Sequence, residues 1–221
     1  MNKILLFCLL ISSLLHSQDI RSYITTASFS SQEGSFVELY IAFDANTLQL
    51  INLGDSFVAE IDVEIEIANE EKVVFSHHYL LKSPSFDKAK ENNVFFFDQQ
   101  RISLIDGDYD IKVIVFDNAK ADKVNQYSDK ISFSYGNNIS LSDIQLISEF
   151  SKDTLTNSLS KSGMLLTPFV SNYYPKNISQ MSFYFESYNT GFLKENKYLL
   201  NTYIEIFESN VPLFDYNRIQ R

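Results

Sequence analysis

The sequence contains no tryptophan and one cysteine, Cys8. Its 221 residues include only three histidines, four prolines and six glycines. A single cysteine forms no internal disulfide, so a packed core must hold the fold. Lack of tryptophan removes the ring most often used to stack on sugars. P-loop, Rossmann glycine, H-E-x-x-H and C-x-x-C motifs are all absent, so no cofactor is expected. A net charge of −10 makes nucleic acid and anionic lipid surfaces poor partners.

One apolar run stands out, at the start. Lys3 is followed by the apolar stretch Ile4 to Leu15 and then the small residue Ser17. This run is too short to cross a bilayer and has the plan of a signal peptide. It predicts a signal over residues 1–17, cleaved near Ser17. Cys8 lies inside the run behind Leu5-Leu6-Phe7, where a lipoprotein signal would need a small residue just before the cysteine. Cleavage without lipidation is the expectation. No later stretch approaches the roughly twenty apolar residues of a transmembrane segment. An exported chain without disulfides points to the periplasm or cell envelope of a bacterium, or to secretion from it.

Aromatics are plentiful, with 19 Phe and 13 Tyr. Such enrichment favours sheets. Residues 57–67 read F-V-A-E-I-D-V-E-I-E-I. Glu60, Asp62, Glu64 and Glu66 share one parity; Ile61, Val63, Ile65 and Ile67 share the other. Same-face residues of a strand stand about 6.8 Å apart. One straight strand therefore cannot bring four carboxylates onto one ion, and these four are expected to be its wet face. Asn69-Glu70-Glu71 predicts a tight hairpin into K-V-V-F-S-H-H-Y-L-L.

Seven or eight such strands precede Gly136-Asn137-Asn138. They predict an all-β fold: an immunoglobulin-like antiparallel β-sandwich over residues 18–136. Leu104-Ile105-Asp106-Gly107-Asp108-Tyr109 has the form of a tyrosine corner, with Gly107 expected at positive φ. Residues 137–221 predict a second β-rich module with only four or five strands. That is too few to close a sandwich, so this module is expected to be truncated, with an open edge that self-associates. Residues 18–136 are expected to fold alone.

Candidate sites are few. Asp106, Asp108 and Asp110 are weak cation candidates, because the glycine falls at the wrong place for a calcium loop. A structural turn is the preferred reading. Gly54-Asp55-Ser56 resembles the nucleophile block of GDS-type lipases and esterases. No histidine follows His78, so that serine would lack a base and a hydrolase is not expected. His77 and His78 are adjacent on a strand and point to opposite faces. They are a poor zinc pair, with one expected inside and one outside. Tyr173-Tyr174-Pro175 could stack on a sugar or simply pack.

Four stretches together resemble the N-terminal half of the GWxTD-domain-containing proteins of Bacteroidota. They are S-F-V-E-L-Y-I-A-F-D, F-F-F-D-Q-Q-R-I-S-L-I-D-G-D-Y-D-I-K-V, I-S-L-S-D-I-Q-L-I-S and Y-Y-P-K-N-I-S-Q-M-S-F-Y-F-E-S-Y-N-T. The resemblance covers roughly residues 29–208, most of the chain after the expected signal. The resemblance implies an extracytoplasmic protein with β-rich modules and no nameable activity. The Gly-Trp-x-Thr-Asp element itself is absent, and no functional residue carries over. Asp153-Thr154-Leu155 matches the O-glycosylation pattern of that phylum, making Thr154 a candidate acceptor. The expected function is a non-enzymatic binding or structural part of the cell envelope, with an unknown protein or glycan partner. The alternatives are a carbohydrate-binding module and, less favoured, a hydrolase.

Overall fold

The computed structural model describes residues 19–86, 95–120, 123–153, 158–171, 173–176 and 178–190, and the residue pairs 201–202, 207–208, 211–212 and 219–220. The expected signal at 1–17, the Thr154 acceptor and most of the expected second module beyond residue 190 lie outside these residues.

Period-two stretches form strands almost wherever they occur. These are β1 (Ser22–Ser31), β2 (Gly34–Asp44), β3 (Ile51–Asn52), β4 (Phe57–Val58), β5 (Glu60–Asn69), β6 (Lys72–Lys82), β7 (Phe95–Ser103), β8 (Gly107–Asp117) and β9 (Val124–Phe133). After residue 136 follow β10 (Ser140–Leu141), β11 (Gln145–Lys152), β12 (Ser160–Lys161), β13 (Met164–Pro168), β14 (Ser182–Tyr184) and β15 (Ser187–Tyr188). Two-residue strands β16 to β19 lie at Asn201–Thr202, Phe207–Glu208, Val211–Pro212 and Ile219–Gln220. Within the apolar run L-Q-L-I-N-L only Ile51–Asn52 forms a strand, β3. One 3-10 turn, Ala45–Thr47, follows β2 and is capped by the Asp44 carboxylate.

Two antiparallel sheets pack face to face. One has the order β1-β2-β7 and the other β6-β5-β8-β9. Their inward residues make one core. Val37, Leu39, Ile41 and Phe43 come from β2, Ile61, Val63, Ile65 and Ile67 from β5, and Ile111, Val113 and Val115 from β8. Each such side chain contributes roughly 1.5–3 kcal/mol on burial. Phe43 stacks on Phe96 of β7 at 5.1 Å. The fold is an all-β sandwich.

Two local expectations hold. Asn69 pairs with Lys72, and Glu70 and Glu71 both take positive φ, at 47° and 67°. That is the two-residue hairpin whose twist suits flanking strands. The Tyr109 ring is buried and its hydroxyl donates to the Ile105 carbonyl at 2.8 Å. The role given to Gly107 is corrected, because it is not among the glycines with positive φ. It begins β8 as extended chain, and a Cβ there would meet the Tyr109 ring at 3.4 Å, an ordinary contact distance.

Part of the outer face of the β1-β2-β7 sheet is covered. Strands β12-β13-β11-β14 form a four-stranded sheet whose side chains reach it. Ala27, Phe29 and Tyr40 are buried there, with Phe36, Val170 and Tyr184 packed against them. Ser28 adds a polar tie: its hydroxyl meets Tyr135 Oη and Asp143 Oδ2, each at 2.6 Å. The Asn189 side chain donates to the Gly136 and Asn138 carbonyls, tying down the junction. A fragment ending at residue 136 would leave the Ala27, Phe29 and Tyr40 surface bare.

Candidate functional site

The residues singled out from the sequence do not converge. Asp106 accepts from Ser35 Oγ at 2.6 Å and from the Tyr135 and Gly136 amides at 2.7 and 3.3 Å. The Ser35 hydroxyl bond, with these amides, holds its carboxyl below the usual carboxylate range. It works as a turn clamp between the ends of β2, β7 and β9. Asp108 and Asp110 are exposed on β8, where Asp110 lies 3.6 Å from Lys130. Among the described residues no group of three or more His, Cys, Asp or Glu could hold a metal ion.

The acidic strand is a wet face. Glu64 and Glu66 are exposed. Glu60 and Asp62 are half-covered by partners on β6: Lys82 at 2.8 Å and His78 at 3.2 Å. The bond from Lys82 holds the Glu60 carboxyl below its ordinary value. The split expected for the histidines is corrected: both are exposed. β6 is the edge of its sheet, so even its inward parity meets solvent. His77 lies between Phe75 and Tyr79, stacked on the latter at 4.9 Å. Gly54-Asp55-Ser56 is a surface turn, with Gly54 at φ 101°.

Two further features emerge, and only the second, through Tyr173 and Pro175, includes residues singled out from the sequence. The first is a buried charge cluster beneath the four-stranded sheet. Glu38 of β2 is fully buried. Its carboxylate receives Arg101 Nη2 at 2.6 Å and Nε at 3.1 Å, Lys161 Nζ at 2.5 Å, and the Tyr40 hydroxyl. Lys161 also donates to Gln145 Oε1 at 2.7 Å and lies 3.5 Å from the centre of the Phe29 ring. Arg101 stacks over Phe36 at 4.7 Å. Burial pushes the Lys161 ammonium down, opposed by the Glu38 charge. Burial and the neighbouring carboxylate push the Tyr40 phenol far up. A cleft of about 480 Å³ opens beside the cluster, lined by Phe36, Arg101, Lys161, Glu186 and serine hydroxyls. The Lys161 ammonium is spent on Glu38 and Gln145, and the Tyr40 hydroxyl on Glu38. The only hint in the sequence was a lone Glu in a strand apolar on both parities.

The second feature is an aromatic groove of about 400 Å³ on the same outer face. Tyr23 of β1, Phe95 and Phe97 of β7, and Phe169, Tyr173 and Ile178 of the segment after β13 line it. Phe95, Phe97 and Tyr173 are 52%, 40% and 63% exposed. Alternation on β7 explains the pair: Phe96 turns into the core while its neighbours turn out. The groove's polar groups are few, chiefly the Ser148, Thr167 and Ser171 hydroxyls.

Compared with known proteins, the chain matches no family model, no curated protein and no solved structure.

Proposed function

We propose that this chain is an exported, non-catalytic β-sandwich protein of the bacterial envelope that holds a protein partner in its aromatic groove. The observation that carries the reading is the groove itself. Exposed Phe and Tyr side chains clustered in one concavity mark interaction sites on soluble domains. Their sparse polar lining suits apolar side chains of a protein better than the hydroxyls of a sugar. The first sandwich is of immunoglobulin type in this reading, supported by the β1-β2-β7 and β6-β5-β8-β9 strand orders and the Tyr109 corner. Export rests on Lys3 and the Ile4–Leu15 run, and membership of the GWxTD-containing proteins on the four stretches named above. A non-enzymatic role is supported by the lack of a base after His78 and by the mutual saturation of the buried charges.

Carbohydrate binding is the second reading, favoured by Tyr23 and Phe95 with ring centres 6.4 Å apart. Their planes differ by 39°, a poor platform for a flat sugar face.

A photo-crosslinking residue at Phe97, compared with one at the exposed Leu53, tests the proposal in the producing cell. The expected result is one discrete protein adduct at position 97, in the envelope fraction, and none at position 53. Glycan-array binding lost on Phe97→Ala would replace this reading with the carbohydrate one. Equal labelling at both positions would remove the groove from consideration.

A further inference from the structure

Strand β6 reads Lys72-Val73-Val74-Phe75-Ser76-His77-His78-Tyr79-Leu80-Leu81-Lys82. One edge pairs with β5; among the described residues no strand pairs with the other. Open edges are usually guarded by charge, proline or a bulge. Here the guards stand at the ends. Lys72 and a bulge at Val73-Val74 close one end, and Lys82 closes the other. Between them Val74 to Leu80 carries no lysine, acid or proline, over about 24 Å of chain.

That stretch is a palindrome in chemical character about His77. An antiparallel pairing of two such edges centred on His77 places Phe75 opposite Tyr79, Ser76 opposite His78 and Val74 opposite Leu80. Each match occurs twice. Phe75, His77 and Tyr79 already form a ring stack along the inward parity, which the pairing would continue across the two-fold axis. Val74 and Leu80, 46% and 45% exposed, would cover one another on the outer face. Aromatic and aliphatic cross-strand pairs of this kind stabilise sheets. The one unfavourable match is Lys72 with Lys82, and Glu60 already lies 2.8 Å from Lys82.

We propose that β6 is a self-recognition edge that pairs antiparallel with β6 of a second copy, with His77 on the two-fold axis. The contact joins two four-stranded sheets into one of eight and leaves the aromatic groove, on the other sheet, open. A single strand pair is smaller than a standard stable interface, so the dimer is concentration-dependent.

Sedimentation of the full chain over a concentration series, with three variants, tests this. The wild type is expected to approach twice the monomer mass at the highest concentrations. Ser76→Lys with His78→Lys sets like charges opposite one another and is expected to stay monomeric. Ser76→Glu with His78→Lys sets opposite charges in the same register and is expected to restore the dimer, which separates lost pairing from lost folding. In a Cys8→Ser background, His77→Cys is expected to form an intermolecular disulfide under mild oxidation, because cysteines on the axis oppose each other within bridging distance. A chain that is monomeric throughout and forms no His77→Cys disulfide would overturn the proposal. So would a dimer that the double lysine variant leaves intact.

Discussion

Strands β2 and β5 both carry carboxylates on the parity opposite their core residues. On β5, Glu60, Asp62, Glu64 and Glu66 meet water or an exposed partner. On β2, the single Glu38 is fully buried with Arg101, Lys161 and Tyr40 around it. Residue type does not separate the two cases. What differs is the layer above: open solvent over the β6-β5-β8-β9 sheet, and strands β11 to β14 over the β1-β2-β7 sheet. A carboxylate in high dielectric needs little from its neighbours, whereas one without water must be paired and hydrogen-bonded.

Substitutions on the two faces should therefore diverge. Glu38→Ala strands the buried Lys161 and is expected to destabilise by about 4 kcal/mol, read from denaturant unfolding of the full chain. Phe29→Ala, which empties the apolar contact beside that ammonium, should lose about 3 kcal/mol by the same measurement. Tyr40→Phe removes only a hydroxyl that donates to Glu38, and a loss of about 1.5 kcal/mol is expected. On the open face, Glu64→Gln combined with Glu66→Gln should shift stability by less than about 0.5 kcal/mol. An effect there as large as that of Tyr40→Phe would erase the distinction.

Local chemistry was readable before the structure. Alternation over residues 57–67 specifies β5 and its wet face, because a period of two admits no other half-buried arrangement. The Asn69-Glu70-Glu71 hairpin and the Tyr109 corner were equally plain, since both depend on contacts within a few residues. The misreadings arose where position in the sheet decides. His77 has the parity of a core residue, yet strand order places β6 at an edge. Glu38 sits in S-F-V-E-L-Y-I-A-F, apolar on both parities, which is compatible with any strand covered twice. Its partners Arg101 and Lys161 lie 63 and 123 residues away, beyond any local pattern. The aromatic groove is likewise assembled from β1, β7 and the segment after β13.

Glu38 and Lys161 form one buried unit that ties the later strands to the β1-β2-β7 sheet. A double-mutant cycle with Glu38→Leu and Lys161→Met tests it most directly, because Glu38→Leu strands the buried Lys161, Lys161→Met leaves Glu38 only its Arg101 partner, and the pair leaves only the half-exposed Arg101. Each single variant is expected to lose about 3 kcal/mol. The double variant is expected to be more stable than either single one, with a coupling of about 2 kcal/mol or more. Single losses that add in the double variant, with coupling near zero, would mean that the two side chains do not share a dry interface.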